Sequence, residues 1–101
     1  MDTLARQTAT ILAEKMEAEA VWLFGSYARG DAGPDSDLDF LVVVPQSTKT
    51  RYERAVEAHR ALGASPAPVD IIVFTQSEWD RDLEAVCSLG STVLREGIRL
   101  L

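Results

Sequence analysis

Residues 24–44 read FGSYARGDAGPDSDLDFLVVV, two apolar ends around a polar stretch with two glycines and a proline between Gly30 and Ser36. The run Val21-Trp22-Leu23-Phe24 stops at Gly25 and has the length and bulk of a buried strand. Gly30 to Ser36 (GDAGPDS) is the clearest loop in the chain, since Gly and Pro punctuate regular structure. Asp37 to Val44 reads as a second strand ending at Pro45. Its opening residues alternate acid and apolar, so Asp37 and Asp39 project from one face with Cα atoms about 6.5–7 Å apart. Two unpaired carboxylates deep inside a sheet would be costly, which places the pair at the open, loop end of the strand.

These positions carry a specific chemistry. Two carboxylates at that span can clasp metal ions lying about 3.5–4 Å apart. At Gly25-Ser26, glycine allows backbone N–H groups to approach a phosphate closely, and the serine adds a hydroxyl donor. If Tyr27 to Arg29 continue as a helical turn, the Gly-Ser step lies at a helix N-terminus, where anions are favoured. One strand thus offers a phosphate cradle and the next a metal clasp. A triphosphate with Mg²⁺ fits both, because Mg²⁺ takes a few carboxylates together with phosphate oxygens.

Outward from this stretch the elements alternate. Thr3 to about Ala18 is expected to be a helix, with Leu4, Thr8, Ile11, Leu12 and Met16 on one stripe and Asp2 or Thr3 as cap. Thr50 to Leu62 is expected to be another, with Tyr52, Ala55, Val56, His59 and Leu62 on its stripe. A Thr50-x-x-Glu53 capping box opens it and Gly63 closes it. GASPAP is a connector, and Val69 to Phe74 a third strand rich in β-branched residues. Thr75-x-x-Glu78 opens a further helix with Trp79, Leu83 and Val86 facing inward. Gly90 is expected to break it, Ser91 to cap a short last helix with Val93 and Leu94, and Ile98 to Leu101 to add a short strand. The order predicts one mixed α/β (α+β) domain over residues 1–101, a small mixed sheet of three to four strands flanked by helices.

Composition bounds the function. The 101 residues are 47% apolar and 26% charged, ordinary values for a chain with one core. One cysteine, Cys87, excludes an internal disulfide and any multi-cysteine zinc cluster, and suggests a reducing, cytoplasmic setting. The N-terminus lacks a signal-like apolar run, and Phe40–Val44 is far too short to cross a bilayer. With sixteen acidic against ten basic residues and a net charge of −6, there is no basic stripe, and direct nucleic-acid binding is not expected.

Gly25-Ser26, ten intervening residues and then Asp37-x-Asp39 match the GSx10DxD motif of the DNA polymerase β-like nucleotidyltransferase superfamily. The fuller string GSYARGDAGPDSDLDFLV resembles its smallest members, the minimal nucleotidyltransferases. The resemblance implies the nucleotidyltransferase fold and a third acid on a neighbouring strand, for which Asp70 in PVDIIVF stands in the right place. It implies that Gly25 and Ser26 hold the triphosphate of ATP, and that Asp37 and Asp39 bind two Mg²⁺ ions. Asp70 would complete one metal site and help deprotonate the attacking hydroxyl, and Arg29, matching the Arg of GSxARG, would neutralise phosphate charge. The implied reaction is transfer of AMP to an acceptor hydroxyl with release of pyrophosphate. The implied role is that of an antitoxin that modifies a tyrosine of a helical HEPN-type partner. With no length expected for a separate acceptor-binding domain, acceptor selection would be supplied by a partner or a second copy. Two other readings stand beside this one: modification of a small molecule, as by the antibiotic nucleotidyltransferases, and a non-catalytic antitoxin acting by binding alone.

Plainer roles exist for the same residues. Asp37, Asp39 and Asp70 could be solvated strand-start residues, Gly25-Ser26 an ordinary turn, and Arg29 a surface partner of Asp31 or Asp35. His59 reads as a packing or boundary residue, Cys87 as a small core residue, and Trp22 and Trp79 as core or core-edge.

Overall fold

The apolar run after the aspartates becomes the central strand, β2 (Leu38–Val44), in which every residue except Asp39 is buried. Burial on both faces explains why the strand is continuously apolar beyond its acidic start. The computed structural model describes residues 3–33, 36–65 and 67–101. The expected cap Asp2, two residues of the loop and one of the connector lie outside them. β2 pairs antiparallel with β1 (Ala20–Phe24) and parallel with β3 (Val69–Thr75). β4 (Ile98–Arg99) adds to the far side of β1, giving a mixed sheet of order β3-β2-β1-β4.

Helices cover both faces. On one face, Ala5, Ala9 and Leu12 of α1 (Thr3–Met16) and Ala58 of α3 (Arg51–Leu62) pack against Val21, Leu23, Phe40, Val42, Ile71 and Val73. On the other, Trp79 of α4 (Gln76–Leu83) and Val93 of α5 (Leu89–Glu96) pack against Ala20, Leu41, Val43 and Phe74. The remaining helix, α2 (Ser26–Arg29), is a single turn between β1 and the loop. Trp22 and Trp79 meet with ring centroids 5.7 Å apart, at the edge of the core as expected.

Both expected capping boxes form, Thr50 with Glu53 and Thr75 with Glu78. The helix faces depart from expectation in three places. In α1 the buried stripe runs through Ala5 and Ala9, while Ile11 is exposed; small residues let α1 and α3 approach closely across the sheet. In α3, Tyr52 and His59 face solvent and Arg54 with Ala58 turns inward. The buried arginine is satisfied by Lys49 O (3.1 Å), Val73 O (2.7 Å) and a two-pronged pair with Glu78 (2.7 and 3.0 Å). That network decides the rotation of the helix. Third, α4 stops at Leu83, so Val86 and Cys87 lie on an exposed turn instead of inside. Cys87 takes positive φ there, and Ser88, not Ser91, caps α5 by accepting from Ser91 N at 3.0 Å. Gly90 sits within α5, where a Cβ would strike the Asp82 carboxylate, which accepts from Gly90 N.

The Arg54 hydrogen bonds hold the Glu78 carboxyl down from its ordinary 4.5 to about 2, aided by the Thr75 N–H and opposed by burial. A depressed acid stabilises the fold above its ordinary range, and that contribution disappears as pH falls from about 4.5 toward 2. Glu78→Gln is therefore expected to cost about 2–3 kcal/mol at pH 7, since it leaves the buried guanidinium without its counter-charge. Urea unfolding of parent and variant should converge as pH drops through that window.

Candidate active site

β1 ends at Phe24, and the chain turns sharply at Gly25, with φ 74° and ψ −156°. Side chains are disfavoured in this backbone conformation, and the surroundings exclude one as well. A Cβ on Gly25 would overlap Asp39 Oδ2 and lie 3.1 Å from its Cγ. The glycine is thus the wall against which the aspartate rests. α2 follows at once, so the turn expected over Tyr27–Arg29 begins one residue earlier, at Ser26. The Ser26 hydroxyl is half-buried and engages no other described residue. α2 closes in a paired 6→1 and 5→2 arrangement: Asp31 N donates to Ser26 O at 3.0 Å and Gly30 N to Tyr27 O at 3.3 Å, with Gly30 left-handed at φ 82°.

Strand register brings the acids together. Phe24 pairs with Asp39, and Asp39 pairs with Asp70, so one row across β1, β2 and β3 reads Phe24-Asp39-Asp70. Asp37 lies two residues before Asp39, just outside the strand, and both Asp37 and Asp70 are exposed. Asp39 is half-buried, and its carboxyl is pushed above the usual carboxylate range. Burial is the main cause, followed by the charges of Asp70 and Asp37, while Arg29 pulls the other way. The three acids and the arginine therefore share one electrostatic neighbourhood. Arg29 itself is exposed, with Nε 3.3 Å from Asp31 Oδ2.

A donor set of carboxylates alone is hard, oxygen-only and mutually repulsive, which suits Mg²⁺ and not a soft metal. Among the described residues no three His, Cys, Asp or Glu side chains are gathered closely enough to hold a metal ion. Asp39 and Asp70 are direct cross-strand partners, and with Asp37 they do not form a finished cage. A groove of about 300 Å³ runs along the outer side of α3 past Lys49, Tyr52 and Arg60, and one of about 220 Å³ lies between α1 and the end of α3. Neither is lined by an acid of the row.

One neighbour of the site was not singled out from the sequence. Phe24 stands beside Asp39 in the row, which the alternation of β1 would reveal only once its register with β2 was known. Asp31 holds Arg29, the surface pairing that the sequence offered as the plainer role of that arginine.

The nucleotidyltransferase domain family matches residues 5–95 of the chain. Two proteins of Methanocaldococcus jannaschii assigned as protein adenylyltransferases, MJ0141 and MJ1379, are 37% identical over 51 residues and 32% identical over 54. Those matches cover 50% and 54% of this chain and the same shares of the relatives, so the chain spans about half the length of the relatives it matches. The crystal structure of a Sulfolobus solfataricus protein assigned as a nucleotidyltransferase superposes with a TM-score of 0.64 at 26% identity, covering 95% of this chain and 75% of that one. A chain from a toxin-antitoxin structure with AMP-PNP shares the fold, with a TM-score of 0.63 at 23% identity over 95% of this chain and 72% of that one. A mixed four-stranded sheet with its acids on neighbouring strands, together with a family match over most of the sequence, assigns the chain: it belongs to the nucleotidyltransferase domain family.

Proposed function

We propose that the protein transfers AMP from ATP to a hydroxyl of a partner protein and releases pyrophosphate. The observation that carries this reading is the Phe24-Asp39-Asp70 row with Gly25 pressed against Asp39, which sets a glycine-serine turn beside clustered carboxylates. Asp37, Asp39 and Asp70 would hold two Mg²⁺ ions, which when bound supply charge stabilisation to the attacking and leaving oxygens. Gly25 and Ser26 hold the triphosphate, Ser26 through a hydroxyl that engages no other described residue. Arg29 offsets phosphate charge. Asp70 accepts the proton of the acceptor hydroxyl as its oxygen bonds to the α-phosphorus. The bond from that phosphorus to the bridging oxygen breaks, and pyrophosphate leaves with the electron pair. Positioning and electrostatics supply most of the acceleration.

A protein acceptor is favoured by the adenylyltransferase assignment of the Methanocaldococcus relatives, and an antitoxin role by the toxin-antitoxin structure with AMP-PNP. The finer expectation is a tyrosine of a helical HEPN-type partner. The net charge of −6 suits docking on a basic, RNA-handling protein. No helix among the described residues is long and apolar enough to cross a membrane.

The test is transfer of label from α-labelled ATP in a lysate of the source cell, with Mg²⁺ or with a chelator. A labelled protein band that requires both this protein and Mg²⁺ is the expected result, and the band identifies the acceptor. Pyrophosphate release with no labelled band would move the acceptor to a small molecule. Neither signal in the presence of Mg²⁺ would leave binding alone as the activity and overturn the proposal.

A further inference from the structure

Arg29 is the last residue of α2, and the turn that follows it is fixed by its own hydrogen bonds. Asp31 N is tied back to Ser26 O and Gly30 N to Tyr27 O, with the left-handed φ of Gly30 between them. This closure delivers the Asp31 side chain to the guanidinium, where Oδ2 accepts from Nε at 3.3 Å. The contact is single-pronged and solvated, with side-chain exposures of 47% for Arg29 and 62% for Asp31. Exposed pairs of this kind are worth about 0–1 kcal/mol, too little to be a reason for stability. A triphosphate carries several charges and can accept two parallel N–H bonds from one guanidinium, so it is the stronger partner. Arg29 also acts electrostatically on Asp39, so its charge already reaches the acidic row from this position.

We infer that Asp31 is a positioning residue that rivals the triphosphate for Arg29, so that binding nucleotide requires the guanidinium to exchange one carboxylate for phosphate oxygens. The inference rests on the functional reading above and adds a regulation of affinity to it. With Asp31 on the guanidinium, the site meets an incoming triphosphate with a nearly neutral pair in place of a free cation. The nucleotide is held less tightly than the donor groups alone would allow.

The measurement is the Kd of ATP in Mg²⁺ buffer, by titration calorimetry, for the parent, Asp31→Asn, Arg29→Gln and the double variant. Asp31→Asn is expected to lower Kd by about two- to fivefold, the range that an exposed pair can supply. In the Arg29→Gln background the same substitution should leave Kd unchanged, because the rivalry has lost its object. Equal tightening in both backgrounds would mean general repulsion of an anion and would overturn the inference. So would an unchanged or raised Kd for Asp31→Asn alone. Both side chains are exposed, so the four proteins should melt alike, and a fall in stability would expose a structural role instead. A parent that binds no ATP at all overturns the functional reading itself. A parent that binds while the cycle shows no coupling overturns only this step.

Discussion

Asp39→Asn is expected to lower transfer by about 10³-fold or more while leaving the protein as stable as the parent or more stable. The substitution keeps the shape of the side chain and removes its charge. No described residue hydrogen-bonds the Asp39 carboxylate, so no partner is orphaned. The structure instead sets burial and the charges of Asp70 and Asp37 against the ionised form. An acid whose folded pKa is raised destabilises the fold at any pH where it is ionised, and that penalty fades as pH falls through the folded value. Asparagine removes the penalty, so the gap between variant and parent should be widest near neutrality and close in acid. Mg²⁺ should raise the melting temperature of the parent, because an ion that binds only the folded form stabilises it by mass action. The variant should lose most of that shift. Pyrophosphate release and thermal melts with and without Mg²⁺ read all of this together. A variant that keeps its rate within tenfold, or that melts well below the parent, would show Asp39 to be structural.

How much of this was legible beforehand depended on the range of the interactions involved. The strand carrying Asp39 and the turn at Gly25-Ser26 could be read from a strand period of two and from glycine punctuation, because both are local properties, although the strand begins at Leu38 and leaves Asp37 just outside it. The two Thr-x-x-Glu caps were readable for the same reason, as each closes on itself within four residues. Asp70 was placed by resemblance alone, and its pairing with Asp39 follows from a parallel register that no stretch of sequence displays. The faces of α3 show where local reading fails. Tyr52, Val56 and His59 make a plausible stripe by spacing, yet Arg54 enters because Glu78 and Val73 O receive it from another strand and helix. A buried arginine is invisible to a pattern of apolar spacing. Cys87 failed differently: the helix ended three residues earlier than its apolar pattern, where Ser88 and Asp82 built a cap for α5.

Two glycines of matching backbone separate local from long-range causes. Gly25 has φ 74° and ψ −156°, and Gly63, at the end of α3, has φ 73° and ψ −155°. Alanine at either position meets the same backbone penalty, about 1–3 kcal/mol. The surroundings differ. No described residue lies within 4 Å of a Cβ on Gly63, whereas one on Gly25 overlaps the Asp39 carboxylate. Gly63→Ala is therefore expected to lose stability and keep the parent rate per folded molecule. Gly25→Ala is expected to lose at least as much stability and in addition to push Asp39 out of the row, lowering transfer by about 10²-fold, the usual effect of displacing a reacting group by an ångström. Urea unfolding measures the shared penalty, and pyrophosphate release from the folded fraction isolates the second effect. Equal losses of rate at both positions would trace activity to backbone strain. A Gly25→Ala protein as active as Gly63→Ala would mean that the chemistry tolerates movement of Asp39, and the metal role would then have to rest on Asp37 and Asp70.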